Sequence, residues 1–179
     1  MKIFFDTEFT GLHKDTTLIS IGLVAENGEE FYAEFSDYND CLVDAWIKEN
    51  VIDNLYYTKG IVDAPNYYYG TKWEIREYLK NWLRQFSSVE LISDVCHYDM
   101  VLFIDIFGDA FSIPENVCPC CYDINQDIAS HYGISLKDAF DMSREKIIED
   151  ANIEISGDKH NALYDAKVIS WIYKLKYKE

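Results

Sequence analysis

Two carboxylates near the start of the chain are spaced for shared chemistry. Asp6 and Glu8 follow the apolar residues 3–5. Alternate side chains of an extended segment leave the same face of a sheet, so both carboxylates can reach one cation. The alternative is that Asp6 caps a turn and Glu8 is solvated, and for an isolated Asp-x-Glu pair this alternative is the more frequent one.

Two later segments supply further groups of the same kind. Asp99 lies in the first turn of a predicted apolar helix, His160 precedes the last predicted helix, and Asp165 lies inside that helix between Ala162 and Ala166. Each has a structural explanation when taken singly, because a helix N-terminus stabilises a carboxylate and a loop histidine needs no role. Four carboxylates and a histidine together are nevertheless the side chains that a divalent cation site requires.

The charge of the chain restricts the way in which it could meet a nucleic acid. Among 179 residues there are 32 acidic and 16 basic side chains, which gives a formal net charge of −16. This balance argues against the broad basic surface that most nucleic-acid-binding proteins use. A local carboxylate cluster bridged to phosphate by divalent cations stays compatible with the composition, because the cations supply the positive charge.

The length and composition predict one globular domain over residues 1–179. Apolar residues make up 49% of the chain, and there are only three prolines. The sequence has no apolar run of about 18 residues, so we expect a cytoplasmic protein without a membrane segment. Cys118, Cys120 and Cys121 could suggest zinc, but no second pair with zinc-like spacing follows, and reduced thiols are the favoured interpretation.

Hydrophobic periodicity predicts the elements that position these groups. Strands are predicted at 2–6, 16–25, 29–35 and 89–93. The first three form an antiparallel meander with a hairpin turn at Asn27-Gly28. Helices are predicted over 40–51, 71–86, 98–108, 123–133 and 161–176. The fold class is therefore α/β, with a sheet of mixed strand directions.

Three motifs, in this order, resemble those of the DEDDh branch of 3′-to-5′ exonucleases. They are "DTEFTGL" (6–12), "HYDMVLF" (97–103) and "HNALYDA" (160–166). The resemblance implies an RNase H-like fold with a mixed five-stranded sheet flanked by helices. Within the family, the chain is most similar to a small bacterial branch of exoribonucleases. Residues 97–98 depart from the usual run before the second-motif Asp, and Asp94 could compete with Asp99 as the ligand there.

The resemblance also implies roles for the five candidate residues. Asp6 would bridge two metal ions, Glu8 and Asp165 would serve the ion on the nucleophile side, and Asp99 would hold the ion at the leaving group. Mg²⁺ is the expected ion and Mn²⁺ a plausible substitute, since oxygen ligands suit both. His160 would be the general base, a task that fits its unperturbed pKa of about 6.5.

The loop beyond the carboxylates is implied to bind the terminal nucleotide. Its residues are Thr7, Phe9, Thr10, Gly11 and Leu12. In this interpretation backbone amides near Thr7 and Phe9 reach the 3′-hydroxyl, Gly11 permits close approach, and Leu12 wedges against the last base. Packing of Phe9 and Leu12 into the core is the alternative.

A second group of aromatic residues could stack unpaired bases. Its members are Tyr67, Tyr68, Tyr69 and Trp73. Such clusters more often cover a core or an oligomer interface, so a homodimer is left open.

The sequence therefore predicts a metal-dependent 3′-to-5′ exonuclease. The expected substrate is the single-stranded 3′ end of RNA, from which nucleoside 5′-monophosphates are released. RNA is favoured by the branch resemblance and by the lack of a basic surface for duplex binding. The alternatives are an exonuclease or proofreading-type subunit that acts on DNA 3′ ends and, less favoured because the residue set is intact, a non-catalytic binding module.

Overall fold

A six-stranded mixed sheet forms the centre of the fold in the computed structural model, which describes residues 1–61 and 64–175. Its strands are β1 Lys2–Phe9, β2 Leu18–Ala25, β3 Glu30–Phe35, β4 Tyr67–Gly70, β5 Val89–Ser93 and β6 Val117–Asp123, in the order β4-β3-β2-β1-β5-β6. The pairs β1–β2 and β2–β3 are antiparallel, and the other three pairs are parallel. The predicted meander and mixed sheet are confirmed.

Seven α-helices accompany the sheet in the described residues. They are α1 Ala45–Asn50, α2 Lys72–Leu83, α3 His97–Phe107, α4 Asn125–Tyr132, α5 Leu136–Asp141, α6 Arg144–Asp150 and α7 Ala162–Leu175. The predicted helix over 40–51 is instead a 3-10 turn followed by α1, because the Asp44 side chain accepts a hydrogen bond from the Ile47 N–H at 2.8 Å and starts a new helix. The predicted end of the last helix, residue 176, lies outside the described residues.

The sheet has six strands where five were expected. Both strands that periodicity did not reveal, β4 and β6, lie at the sheet edges. An edge strand pairs on one side only, so it tolerates Pro119 and exposed side chains instead of a regular apolar alternation. The aromatic run at 67–69 likewise forms a sheet edge, strand β4.

The central strand β1 divides the core into two sides. Ile3 and Phe5 are fully buried among the residues of α2 and α3. Phe4 is buried on the opposite side, against Ile169 and Tyr173 of α7. Since side chains alternate along a strand, Asp6 and Glu8 continue the α7 side, whereas Thr7 continues the α3 side. The strand thus presents groups to both helices.

A glycine in β2 sets how closely α7 approaches the sheet. Gly22 lies opposite Asp6 in the β1–β2 register. A Cβ atom at Gly22 would come within 2.3 Å of the Leu163 backbone nitrogen, so any larger residue would push the start of α7 away. The fully buried Ala162 and Ala166 complete this contact. The close packing brings Asp165 to the strand that carries Asp6.

Among the residues that the structure describes, no helix has the length and apolar character needed to cross a lipid bilayer.

Candidate active site

A cleft of about 730 Å³ lies where β1 ends, and it is lined by all five side chains predicted to do chemistry. These are Asp6, Glu8, Asp99, His160 and Asp165. Asp6 and Glu8 lie in β1, and Asp99 lies in the first turn of α3. Asp165 lies in the first turn of α7, and His160 precedes that helix by two residues. The fold therefore brings together groups that lie more than 150 residues apart in the chain.

Asp99 is held by hydrogen bonds from both neighbouring strands. Its Oδ1 accepts from the Thr7 N–H at 3.2 Å and from the Thr7 hydroxyl at 2.5 Å, and its Oδ2 accepts from the Ser93 hydroxyl at 2.6 Å. Burial raises the pKa of Asp99, and the hydrogen bonds from Ser93 and Thr7 oppose that effect, with a net pKa of about 6. The carboxylate is therefore fixed in one orientation.

Asp6 and Glu8 carry charge that the protein does not compensate. Burial raises the pKa of both carboxyl groups well above the usual range, and the nearby negative charges of Asp99 and Asp165 raise both further. Several carboxylates in one cleft repel each other, and a divalent cation would remove the repulsion. The donor set of hard oxygen atoms suits such an ion.

Asp165 and His160 form the third part of the site. The His160 N–H donates a hydrogen bond to Asp165 Oδ2 at 2.9 Å, and His160 adopts a left-handed backbone conformation with φ +62°. Burial raises the pKa of Asp165 to about 7, even though this hydrogen bond opposes the shift. Glu8, His160 and Asp165 offer ligand atoms that all lie within 4.8 Å of one another.

The His160 ring is packed against an aromatic side chain of α1. Trp46 meets it edge-on, with ring centroids 5.0 Å apart and an interplanar angle of 73°. Burial lowers the pKa of His160 and the positive charge of Lys159 lowers it further. The imidazole is therefore mainly neutral at pH 7 and can accept a proton.

A buried polar network fixes the turn that carries His160. The Asn161 side-chain oxygen accepts from the N–H groups of Leu163 and Tyr164 at 3.1 and 3.4 Å, and its amide group donates to the Tyr32 hydroxyl at 3.2 Å. Tyr32 in turn donates to Glu34 at 2.8 Å. No sequence motif revealed this network, although the polar groups of Tyr32 and Glu34 at alternate positions of an apolar strand indicate a need for buried hydrogen bonds.

Asp94, the alternative to Asp99 in the second motif, is engaged elsewhere. Arg144 contacts both of its oxygens, with Nε–Oδ2 at 2.6 Å and Nη2–Oδ1 at 2.9 Å, and Asn125 donates to Oδ1 at 2.7 Å. Asp94 therefore already has a bidentate cationic partner. Asp99 accepts only from neutral donors in these contacts, so it stays available to a metal ion.

Four of the five residues predicted to bind the terminal nucleotide line the cleft: Thr7, Phe9, Gly11 and Leu12. Thr7 and Phe9 were predicted in a loop but lie in β1, because the strand continues to Phe9. Thr7 and Thr10 are buried; Thr7 bonds to Asp99, and the Thr10 hydroxyl accepts from the Thr17 N–H at 2.9 Å.

The cleft-lining residues differ in how exposed they are. Phe9 stacks on Tyr98 with ring centroids 5.4 Å apart, whereas Leu12 is 77% exposed and so is not part of the core.

The aromatic cluster and the thiols lie apart from this site. Tyr68 stacks on Tyr78 with centroids 4.2 Å apart, and the aromatic residues at 67–69 and 73 do not line the cleft. In the part of the chain that the structure describes, the group of potential metal ligands is Glu8, His160 and Asp165, and it includes no thiol.

The fold is shared with nucleases whose structures are solved. The nuclease domain of 3′hExo, a DEDDh family member bound to rAMP, aligns with a TM-score of 0.66 at 13% identity, over 99% of this chain and 91% of that one. S. pombe Pop2p in its Mg²⁺- and Mn²⁺-bound form aligns with a TM-score of 0.62 at 17% identity, over 99% and 83%. The fold and the motifs are those of the DEDDh exonuclease class.

Sequence comparison identifies the family within that class. The model of the 3′-5′ exoribonuclease Rv2179c-like domain matches residues 1–175. The 3′-5′ exoribonuclease Rv2179c of Mycobacterium tuberculosis (strain H37Rv) is 30% identical over 119 residues, which cover 65% of this chain and 67% of that protein. The chain belongs to the Rv2179c-like 3′-5′ exoribonuclease domain family.

Proposed function

We propose that the chain is a single exonuclease domain that removes nucleoside 5′-monophosphates from the single-stranded 3′ ends of RNA. The observation that carries the proposal is the convergence of Asp6, Glu8, Asp99, Asp165 and His160 in one open cleft. Membership of an exoribonuclease family supports RNA as the substrate, and so does the rAMP bound to the structural neighbour 3′hExo.

Two divalent cations are proposed to bind the carboxylates of the cleft, three of whose potential ligands, Glu8, His160 and Asp165, have ligand atoms within 4.8 Å of one another. Asp6, Glu8, Asp99 and Asp165 would hold Mg²⁺, with Mn²⁺ as a substitute, because all four are buried or half-buried carboxylates with raised pKa values. When bound, such ions help to activate water and stabilise the charge of the transition state and of the leaving 3′-oxygen. Their positive charge would also attract the substrate phosphate to a protein whose net charge is −16.

His160 is the proposed general base of the hydrolysis. Its left-handed turn and the bond from its N–H to Asp165 keep the ring near Glu8 and Asp165. The lowered pKa keeps the imidazole neutral, so it can take the proton of the attacking water. Trp46 restricts the ring from the other side.

The terminal nucleotide is proposed to lie along the loop after β1. The exposed Leu12 side chain would wedge against the last base, and Gly11 would let the sugar approach the backbone. The bonds made by Thr7 and Thr10 hold the backbone of this segment in place. In this proposal the bases meet an apolar wall while the phosphate faces the carboxylates.

A pH profile of the variant His160→Ala tests the proposal. Single-turnover hydrolysis of an RNA oligomer, measured from about pH 6 to 9 at saturating Mg²⁺, should be slower by about 10²- to 10⁴-fold in the variant. The wild-type rate should fall on the acid side as the imidazole is protonated, and the variant should lose that limb. The control is His131→Ala, a change on α4 outside the cleft, which should leave the profile as in the wild type.

An unchanged acid limb in His160→Ala would overturn the general-base role. The DNA alternative is tested in the same assay, by comparing matched RNA and DNA oligomers. If the DNA oligomer is hydrolysed faster, the substrate is DNA and not RNA. The exonuclease assignment would still stand.

A further inference from the structure

The described residues that line the cleft include few basic side chains that could bind the phosphates of a long nucleic-acid strand. Seven of these residues are acidic, and the basic ones, apart from His160, are Arg144 and Lys159. A nucleic-acid-binding groove normally presents several free Lys or Arg side chains to successive phosphates. Whether the two basic residues are free therefore decides how much of a strand the cleft can hold.

Arg144 has no N–H group left for a phosphate. Its Nε and Nη2 donate to Asp94, and Nη2 also donates to Asn125 at 2.7 Å. Its Nη1 donates to the carbonyl oxygens of Ala139 and Met142 at 2.7 and 2.6 Å. These bonds use all the donors of a guanidinium group. Contact with a phosphate would require breaking this half-buried arrangement.

Lys159 is also committed to a carboxylate. Its Nζ lies 2.6 Å from Glu145 Oε1. Burial acts to raise the pKa of Glu145, but hydrogen bonds from Lys159 and Ser143 outweigh it and hold the pKa at about 2. The Lys159 ammonium group therefore has a carboxylate partner beside the cleft, which reduces the positive charge that it offers to a phosphate.

Three more lysines of the described chain also lie beside carboxylates, in pairs that are more exposed to solvent than the pair of Arg144 with Asp94. The pairs are Lys14 with Asp15, Lys48 with Asp53, and Lys59 with Asp158. Two divalent cations would offset the four catalytic carboxylates, but the three other acidic residues of the cleft still outnumber its two basic ones. With such ions bound, the described cleft residues would still carry more acidic than basic groups, and both basic groups already have carboxylate partners.

We infer that the preferred substrates are short single strands and that longer RNA is disfavoured by electrostatic repulsion. This inference rests on the proposed exonuclease function and adds the length class of its substrate. Each further phosphate lies near a protein of net charge −16 with no compensating cation. Salt should therefore speed the hydrolysis of long RNA, whereas it weakens conventional nucleic-acid binding.

The test compares the first cleavage of oligouridylates of about three and about twenty nucleotides at one saturating Mg²⁺ concentration. At a total ionic strength of about 20 mM, MgCl₂ included, where the screening length is about 20 Å, kcat/KM should be at least about tenfold higher for the short oligomer. At about 200 mM KCl the ratio should shrink to about threefold or less, because the rate on the long oligomer rises.

A matched pair of α6 variants locates the effect in the cleft. Glu145→Gln releases the Lys159 ammonium group and should raise the rate on the long oligomer, relative to the short one, by about threefold or more. Glu149→Gln removes the same charge from an exposed position outside the cleft, and should leave the ratio as in the wild type. Because each ratio is taken within one variant, any effect on His160 cancels.

Equal or faster cleavage of the long oligomer at low salt would overturn the inference, and so would a length preference that salt leaves unchanged. In both cases the exonuclease function stands. If neither oligomer is hydrolysed in the presence of Mg²⁺, it is the proposed function that fails.

Discussion

Asp99 and Asp165 occupy opposite sides of β1 and are held in different ways. Asp99 is the more buried of the two, yet it has the lower pKa, about 6 against about 7. Asp99 accepts three hydrogen bonds, from Thr7 and Ser93, whereas Asp165 accepts one, from His160. Hydrogen bonds to the charged form offset part of the cost of burial. The protein itself thus orients Asp99 and stabilises its charge on the α3 side. The charge of Asp165, on the α7 side, depends more on a bound cation.

The change with the largest expected effect removes the β1 carboxylate that is the proposed ligand of both ions. Asp6→Asn should reduce hydrolysis by at least about 10³-fold, because it removes a proposed ligand shared by both ions. The metal-free variant should melt at an equal or higher temperature, since one of several repelling charges is gone. Single-turnover kinetics and thermal melting check both expectations.

The control for Asp6→Asn is Asp150→Asn, at the exposed end of α6, which should change neither quantity. More than about a tenth of the wild-type rate in Asp6→Asn would contradict the ligand role.

Loss of the donors to Asp99 should be the next largest effect. Ser93→Ala and Thr7→Val each remove a hydroxyl that lowers the pKa of Asp99. The carboxylate then binds protons more readily and is oriented less firmly, so the Mg²⁺ concentration for half-maximal rate should rise by about 10- to 100-fold. A Mg²⁺ titration of the rate measures this shift, which should become smaller as the pH is raised above 7.

Ser170→Ala is the matched control for Ser93→Ala. The Ser170 hydroxyl is also buried, but it has no hydrogen-bond partner in the described structure. An equal shift in Ser170→Ala would mean that the change at Ser93 acts through packing.

The stability of the metal-free protein should fall as the pH rises. The pKa of Asp165 is about 7 in the folded state, well above its unfolded value of 3.8. Between these values the folded state binds more protons than the unfolded state, so the free energy of unfolding decreases with pH. Mg²⁺ at about 30 times its Kd should restore about 2 kcal/mol at pH 7. Urea unfolding with and without chelator measures the slope; a rising stability would contradict the shift.

The smallest expected effect compares the two sides directly. In metal-free protein at pH 7, Asp165→Asn should raise the free energy of unfolding by about 1 kcal/mol, because it removes a poorly compensated charge. Asp99→Asn should lower it by about 1 kcal/mol, because the amide cannot accept all three hydrogen bonds. Urea denaturation of both variants decides the matter. Changes of the same sign would show that the two sides are not held differently.

The strand periodicity, the approximate helix positions and the motifs of this protein can be predicted from its sequence alone. A period of two along β1 was enough to place Asp6 and Glu8 on one face, and apolar spacing gave the strands β1, β2, β3 and β5 and the approximate positions of α2, α3 and α7. Three motifs in order were enough for the exonuclease class. These features depend only on residues that are close in sequence, so they can be predicted without the tertiary structure.

Tertiary structure decided which of these residues meet and which partners they have. Arg144 neutralises Asp94 from 50 positions away, and this pairing leaves Asp99 as the open carboxylate. The glycine at position 22 admits the start of α7, and Tyr32 anchors Asn161 from across the sheet. The hydrophobic periodicity of the sequence also did not predict the edge strands β4 and β6. Contacts of this kind depend on the packing of elements remote in sequence, and no local period of the chain encodes them.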